Sequence, residues 1–201
     1  TPKPSSAASD VYKRQAYRPQ VSVAGFIPLS GSGRDIYNFN PGWRYYKGDM
    51  ERAETVELDD SDWEVVATPH SVELMPAEAS GCRNYQGPVW YRKWFVIPAA
   101  TRGKQVFIHF EAVMGKQKVY LNGHLVKEHL GGYLPFNIDL TANGIQAGDS
   151  CLIAVMADNS DDKSYPPGKR QYTLDFSYHG GIYRDVWMIA KSDVSLSLIH
   201  I

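Results

Sequence analysis

A chain of 201 residues with 43% hydrophobic and 21% charged residues has the make-up of an ordinary globular domain, which excludes a largely disordered polypeptide. Its net charge of -1 argues against a nucleic-acid or anionic-membrane partner, and no apolar run approaches the ~20 residues that a transmembrane helix needs. Two cysteines, Cys82 and Cys151, are too few for a disulfide framework and leave both their pairing and the compartment open.

In chain order, the ends are set aside first. Ser5 to Gln15 back-translates into a transposon-based sequencing adapter. Leu196 to Ile201 back-translates into the reverse complement of the codons for Asp10 to Gln15. Residues 1–15 and 196–201 are therefore expected to be adapter-derived and to pack on nothing, with Tyr12 as the cleaner test. Residues 16–34 read as an N-terminal arm punctuated by Pro, Gly and Ser.

The β pattern begins at Asp35, with Ile36-Tyr37-Asn38-Phe39 and then Gly42 to Asp49. Glu51 to Leu58 reads as one helical turn or a loop. Asp59-Asp60-Ser61-Asp62 has the composition of a capped turn that presents Trp63 to the core. The loop Met75 to Gly87 is long and polar. Trp90 to Val96 is a strand with Arg92 and Lys93 inside an aromatic run. Val106 to Phe110 partly alternates apolar and polar residues, as a strand with one buried face does. Asn122-Gly123, between apolar runs, predicts a type I′ hairpin, because these residues best tolerate positive φ at both central positions. Cys151 to Ala157 is almost continuously apolar and is predicted to be a central strand covered on both faces. The loop Asp161 to Leu174 holds Pro166-Pro167 and no periodicity. A last strand follows Arg184-Asp185. About nine or ten short strands, Gly/Pro turns and no long helix predict an all-β sandwich or barrel of one domain, residues 35–192.

Several runs carry a resemblance. Phe110-Glu111-Ala112-Val113-Met114, Val119-Tyr120-Leu121-Asn122-Gly123, Gly131-Gly132-Tyr133-Leu134-Pro135-Phe136, Thr68-Pro69-His70 and Gly180-Gly181-Ile182-Tyr183-Arg184-Asp185-Val186 resemble the N-terminal sugar-binding domain of glycoside hydrolase family 2. That family includes β-galactosidases, β-glucuronidases and β-mannosidases. The resemblance covers about Asp35 to Ala190 and implies a jelly-roll β-sandwich of the galactose-binding type. It implies that the catalytic glutamates lie in a TIM-barrel domain outside this chain, on which the domain would pack. A stand-alone carbohydrate-binding module of the same fold is the alternative, since fold alone does not determine function.

Glycoside hydrolysis needs two positioned carboxyl groups, and no pair in this sequence stands out. Asp59 to Asp62 read as caps, and Asp161 and Asp162 as a solvated loop. Glu111 and Asp185 are expected to have a structural partner such as Arg92 or Arg184. No catalytic residue is assigned. By resemblance, Asp158, at the end of an apolar strand, and Asn159 are expected to contact the carbohydrate substrate; His179, before Gly180-Gly181, reads as a turn or interface residue or as one that faces the sugar pocket. In some β-galactosidases the Asp at this place also helps to hold a sodium ion; no other cofactor is implied. His124 and His129 lack a third ligand at metal spacing. Gly31-Ser32-Gly33 lacks the strand and helix of a phosphate loop, and no Gly-x-Ser-x-Gly elbow is present.

Overall fold

The computed structural model describes residues 21, 34–74, 84–176 and 179–192. The adapter reading of both ends, including Tyr12, lies outside the described residues, as do Cys82 and most of the arm. Ten strands are described: β1 Asp35–Asn38, β2 Trp43–Lys47, β3 Glu64–Val66, β4 Pro88–Val96, β5 Gln105–Phe110, β6 Lys116–Leu121, β7 His124–Leu130, β8 Phe136–Asp139, β9 Ser150–Asp158 and β10 Val186–Lys191. The only helical turns among the described residues are short 3-10 segments at Ala99–Thr101 and Gln171–Thr173.

The strands form two antiparallel sheets, ordered β1-β10-β5-β8 and β3-β2-β4-β9-β6-β7. The chain crosses between them at β1–β2, β4–β5, β5–β6, β7–β8, β8–β9 and β9–β10. One apolar core lies between the sheets, drawing Ile108, Phe110, Ile138 and Met188 from the smaller and Trp43, Tyr91, Phe95 and Val155 from the larger. Trp43 meets Phe110 across the gap, with ring centroids 6.4 Å apart. This is an all-β sandwich, as predicted.

The local readings explain the strands. β5 alternates half-buried and buried positions along its length, which is period-two burial on one face. Asn122 and Gly123 both take positive φ, 48° and 86°, and close the β6–β7 hairpin. The Asn122 side chain also accepts a hydrogen bond from the Leu152 amide at 2.8 Å, tying the turn to β9. β7 is an edge strand and carries His124, Lys127, Glu128 and His129, which discourages pairing with another chain.

β9 is central, between β4 and β6, and Cys151 to Val155 are all buried. Its inner face joins the main core. Its outer face, at Ala154, lies under a second cluster with Ala53, Trp63 and Trp90. The turn segment ending at Trp63 therefore covers the back of the larger sheet, and Trp63 enters this second core. Cys151 is a buried free thiol whose pKa burial pushes up to about 12.

Two expectations about acids change. Asp60 is not an exposed cap. It is 3% exposed and ion-paired to Arg92, Nε to Oδ2 2.8 Å. Arg92 also donates to the carbonyls of Ala53, Thr55 and Leu58, so one buried guanidinium staples the covering segment onto the sheet. Arg92 therefore does not serve Glu111 or Asp185. Glu111 accepts from the Trp187 indole at 2.9 Å, and Asp185 accepts from the Asn40 amide at 2.7 Å. The neutral donors at both positions were not visible as partners from strand position alone.

Candidate functional site

The C-terminal end of β9 carries the first two predicted sugar contacts. Asp158 pairs in register with Pro88 of β4 and Lys116 of β6, so its backbone is held on both sides. Its Oδ1 accepts from the Ser160 amide at 2.8 Å and the Ser160 hydroxyl at 2.5 Å. Among the described residues Oδ2 has no hydrogen-bond partner, and the residue is partly exposed. One oxygen thus builds the turn, and the other makes no hydrogen bond among the described residues.

Asn159 has a different place. It is 3% exposed. Its Nδ2 donates to the Tyr85 carbonyl at 2.8 Å, and its Oδ1 accepts from the Gly87 amide at 3.0 Å. Both ends of the amide hold the chain that leads into β4. A Cβ built on Gly180 would fall 2.5 Å from Nδ2, so the His179-Gly180-Gly181 turn lies directly against this amide. In this geometry both polar ends of the Asn159 amide are taken up by the rim itself.

His179 is partly exposed and its Nδ1 lies 2.9 Å from the Ser71 hydroxyl. Ser71 Oγ donates its proton to the Glu73 carbonyl at 2.7 Å. His179 Nδ1 is then the donor to Ser71, and in the neutral ring Nε2 becomes an acceptor. The same direction of donation argues against Ser71 as a nucleophile, since its proton points away from the imidazole. Backbone bonds from His70 to Ile182 (2.7 Å) and Val72 to Gly180 (3.1 Å) lock the strand-like segment 70–72 to the turn. Three segments therefore meet: the end of β9, residues 70–73 and residues 179–182.

Two further acids near this rim are tied to lysines. Glu73 bonds Lys47 at 2.6 Å and accepts from the Tyr85 amide, and the Lys47 bond chiefly holds its pKa below the usual carboxylate range. Asp162 bonds Lys116 at 2.7 Å, and that bond, followed by those from Ser164, lowers its pKa strongly. A general acid for glycoside cleavage needs a raised pKa, and these two shift the opposite way. Burial lowers the pKa of His70, whose Nδ1 lies 2.9 Å from the Tyr91 hydroxyl; that phenol is itself raised by burial.

For a sodium ion, Asp158 Oδ2 is the carboxylate oxygen of the rim that makes no hydrogen bond among the described residues. Among the described residues no group of three His, Cys, Asp or Glu side chains could hold a metal. These residues alone do not fit a cation cage. His129 stacks on Phe136 and bonds Gln117, a packing role.

Against this geometry, a model of the family described as glycosyl hydrolases family 2, sugar binding domain, matches residues 36–192. The chain belongs to that family. It is 38% identical over 168 residues to a β-galactosidase of Thermoanaerobacter pseudethanolicus, covering 84% of this chain and 22% of that protein. It is 31% identical over 184 residues to a β-glucuronidase of Formosa agariphila, covering 85% and 18%. Among solved structures, a Bacteroides uniformis β-glucuronidase superposes with a TM-score of 0.69 at 30% identity, covering 80% of this chain and 18% of that one. The chain spans about a fifth of the length of these family 2 relatives.

Sequence reasoning missed Ser71, which orients His179, and Lys116, which neutralises Asp162. Ser71 is brought in by the backbone bonds that flank it, His70 to Ile182 and Val72 to Gly180, and Lys116 by its register with Asp158.

Proposed function

We propose that this chain is the non-catalytic sugar-binding part of a larger family 2 glycoside hydrolase of β-galactosidase type. In this reading Asp158 supplies one edge of the substrate pocket. The carrying observation is the division of labour in the Asp158 carboxylate: Oδ1 is fixed by Ser160, while Oδ2, at the partly exposed end of a central strand, has no hydrogen-bond partner among the described residues. A sugar hydroxyl would donate to Oδ2, a bond to a charged group worth about 1.5–3 kcal/mol. His179 Nε2 would accept from a second hydroxyl. Asn159 would act one step back, by holding the rim in place.

The identity to a β-galactosidase supports the galactoside choice, and the short share of each relative supports a larger whole. The remaining wall of the pocket would come from a catalytic barrel packed beside the rim. An apolar patch favours such a neighbour. Tyr133 and Leu134 are 50% and 70% exposed. They follow Gly132, whose carbonyl accepts from the Tyr183 hydroxyl, beside the small cluster of Met114 and Leu174. A neighbouring domain here would cover these two exposed side chains.

The test is turnover of chromogenic β-galactosides and β-glucuronides by the purified chain. No turnover is expected. Activity that survives repurification and disappears on mutating an acidic residue of this chain would overturn the reading.

A further inference from the structure

We propose that a cleft next to the Asp158 rim is a second sugar subsite, which takes one neutral hexopyranose ring of an oligosaccharide. The cleft is about 370 Å³ and is lined by Asn84, Gln86, Asp161, Arg170, Gln171 and Tyr172. That volume lies at the small end of ligand pockets, with room for a single ring. The lining has no aliphatic side chain. It combines three amides, one carboxylate, one guanidinium and one phenol.

This set matches a sugar in three ways. Amides both donate and accept, as hydroxyls do. Tyr172 is 47% exposed and its hydroxyl accepts from Arg170 Nη1 at 2.8 Å, so the ring is anchored while still offering an apolar surface beside a polar tip. Asp161 and Arg170 carry opposite charges, so the lining is neutral overall and suits an uncharged ring better than a uronate.

The wall is also prearranged. Asp161 Oδ1 accepts from Gln86 Nε2 at 2.7 Å and from the Gln171 amide at 3.0 Å. Gln171 is 2% exposed, and its side chain donates to Asn84. Groups already held in place lose little freedom on binding, which favours affinity. Finally, the cleft and the rim share a wall. Asp161 follows Asp158-Asn159-Ser160 directly, and Gln86 precedes Gly87, whose amide is bound by Asn159. A chain of two or more sugars would run from one to the other. Only this last placement rests on the reading of Asp158 given above; binding in the cleft does not.

The experiment is isothermal titration of this chain with galacto-, gluco- and mannotetraose, all β-linked, and with tetragalacturonate as the charged comparison. At least one neutral tetramer is expected to bind with a Kd of about 1 mM or tighter. Tyr172→Ala should weaken it about tenfold or more, and Tyr172→Phe should retain it within about threefold. Melting temperatures of both variants should match the native chain, since Tyr172 is a surface ring. Three results would each overturn the proposal: no neutral tetramer binding, binding of tetragalacturonate alone, or affinity unmoved by Tyr172→Ala. The edge role of Asp158 would survive all three, because it is read from the kinetics of the full-length enzyme.

Discussion

Asn159 and Gly180 are in direct apposition: the amide nitrogen of one occupies the place where a side chain on the other would begin, 2.5 Å from an ideal Cβ. The loop that enters β4 and the turn that precedes β10 are thereby joined through one buried amide.

Asn159→Ala should therefore damage the fold rather than only the site. It leaves the Gly87 amide and Tyr85 carbonyl without their partner, at about 1–3 kcal/mol for each buried unsatisfied group. A fall in Tm of about 5 °C or more is expected for a domain of this size. Gly180→Ala should fall similarly. In the double variant the penalties should be less than additive, because removing the amide makes room for the methyl. Strict additivity in thermal unfolding would contradict the apposition.

Asp60 and Arg92 lead to a second expectation. Their side chains are 4% and 0% exposed. Asp60→Ala strands a buried guanidinium, and breaking such a pair costs about 3–5 kcal/mol. Replacing both with apolar residues should cost far less. Urea unfolding of the single and double variants measures this; a single-variant loss below about 1 kcal/mol would place the ion pair outside the stabilising set.

Lys93 predicts a pH dependence. It is 1% exposed, donates to the carbonyls of Phe39 and Pro41 at 2.8 Å each, and lies over the Phe39 ring. Burial lowers its pKa from 10.5 to about 7. Between those values the unfolded chain holds a proton that the folded chain has released, so stability rises with pH across that window. Above it, both states are neutral at this residue and the effect is complete; below about 7 the full penalty of the buried charge applies. Tm should climb from pH 7 towards pH 10, before the buried phenols Tyr45 and Tyr91, whose pKa values burial raises, oppose it. Lys93→Met should flatten the climb. An equal slope in both proteins would assign it to other groups.

These cases show what was legible beforehand. Asn122-Gly123 and the apolar run of β9 could be read because turn chemistry and periodicity are local. Asp60 could not, because its cap-like neighbours hide a partner that only β4 supplies, far along the chain. Asp158 and Asn159 were read together as sugar contacts, yet the peptide bond between them separates a partly exposed carboxylate from a buried amide. Which side of a strand end a residue takes depends on the loops that close over it, here residues 84–87 and the 179–181 turn. The Tyr172 cleft was not legible, because its loop has no periodicity and its two sides, residues 84–86 and 161–172, meet through long-range bonds.

The central claim, that Asp158 lends one edge to a sugar pocket, is tested most directly by Asp158→Asn in the full-length enzyme. Asn retains an oxygen for the Ser160 bonds, so the turn persists while the charge is lost. The measurement is kcat/KM for a chromogenic β-galactoside together with Tm, on the same two proteins. A fall of about tenfold or more with Tm nearly unchanged is expected, corresponding to at least 1.4 kcal/mol of lost transition-state binding. Unchanged kinetics with a large fall in Tm would show instead that Asp158 serves only to cap its loop.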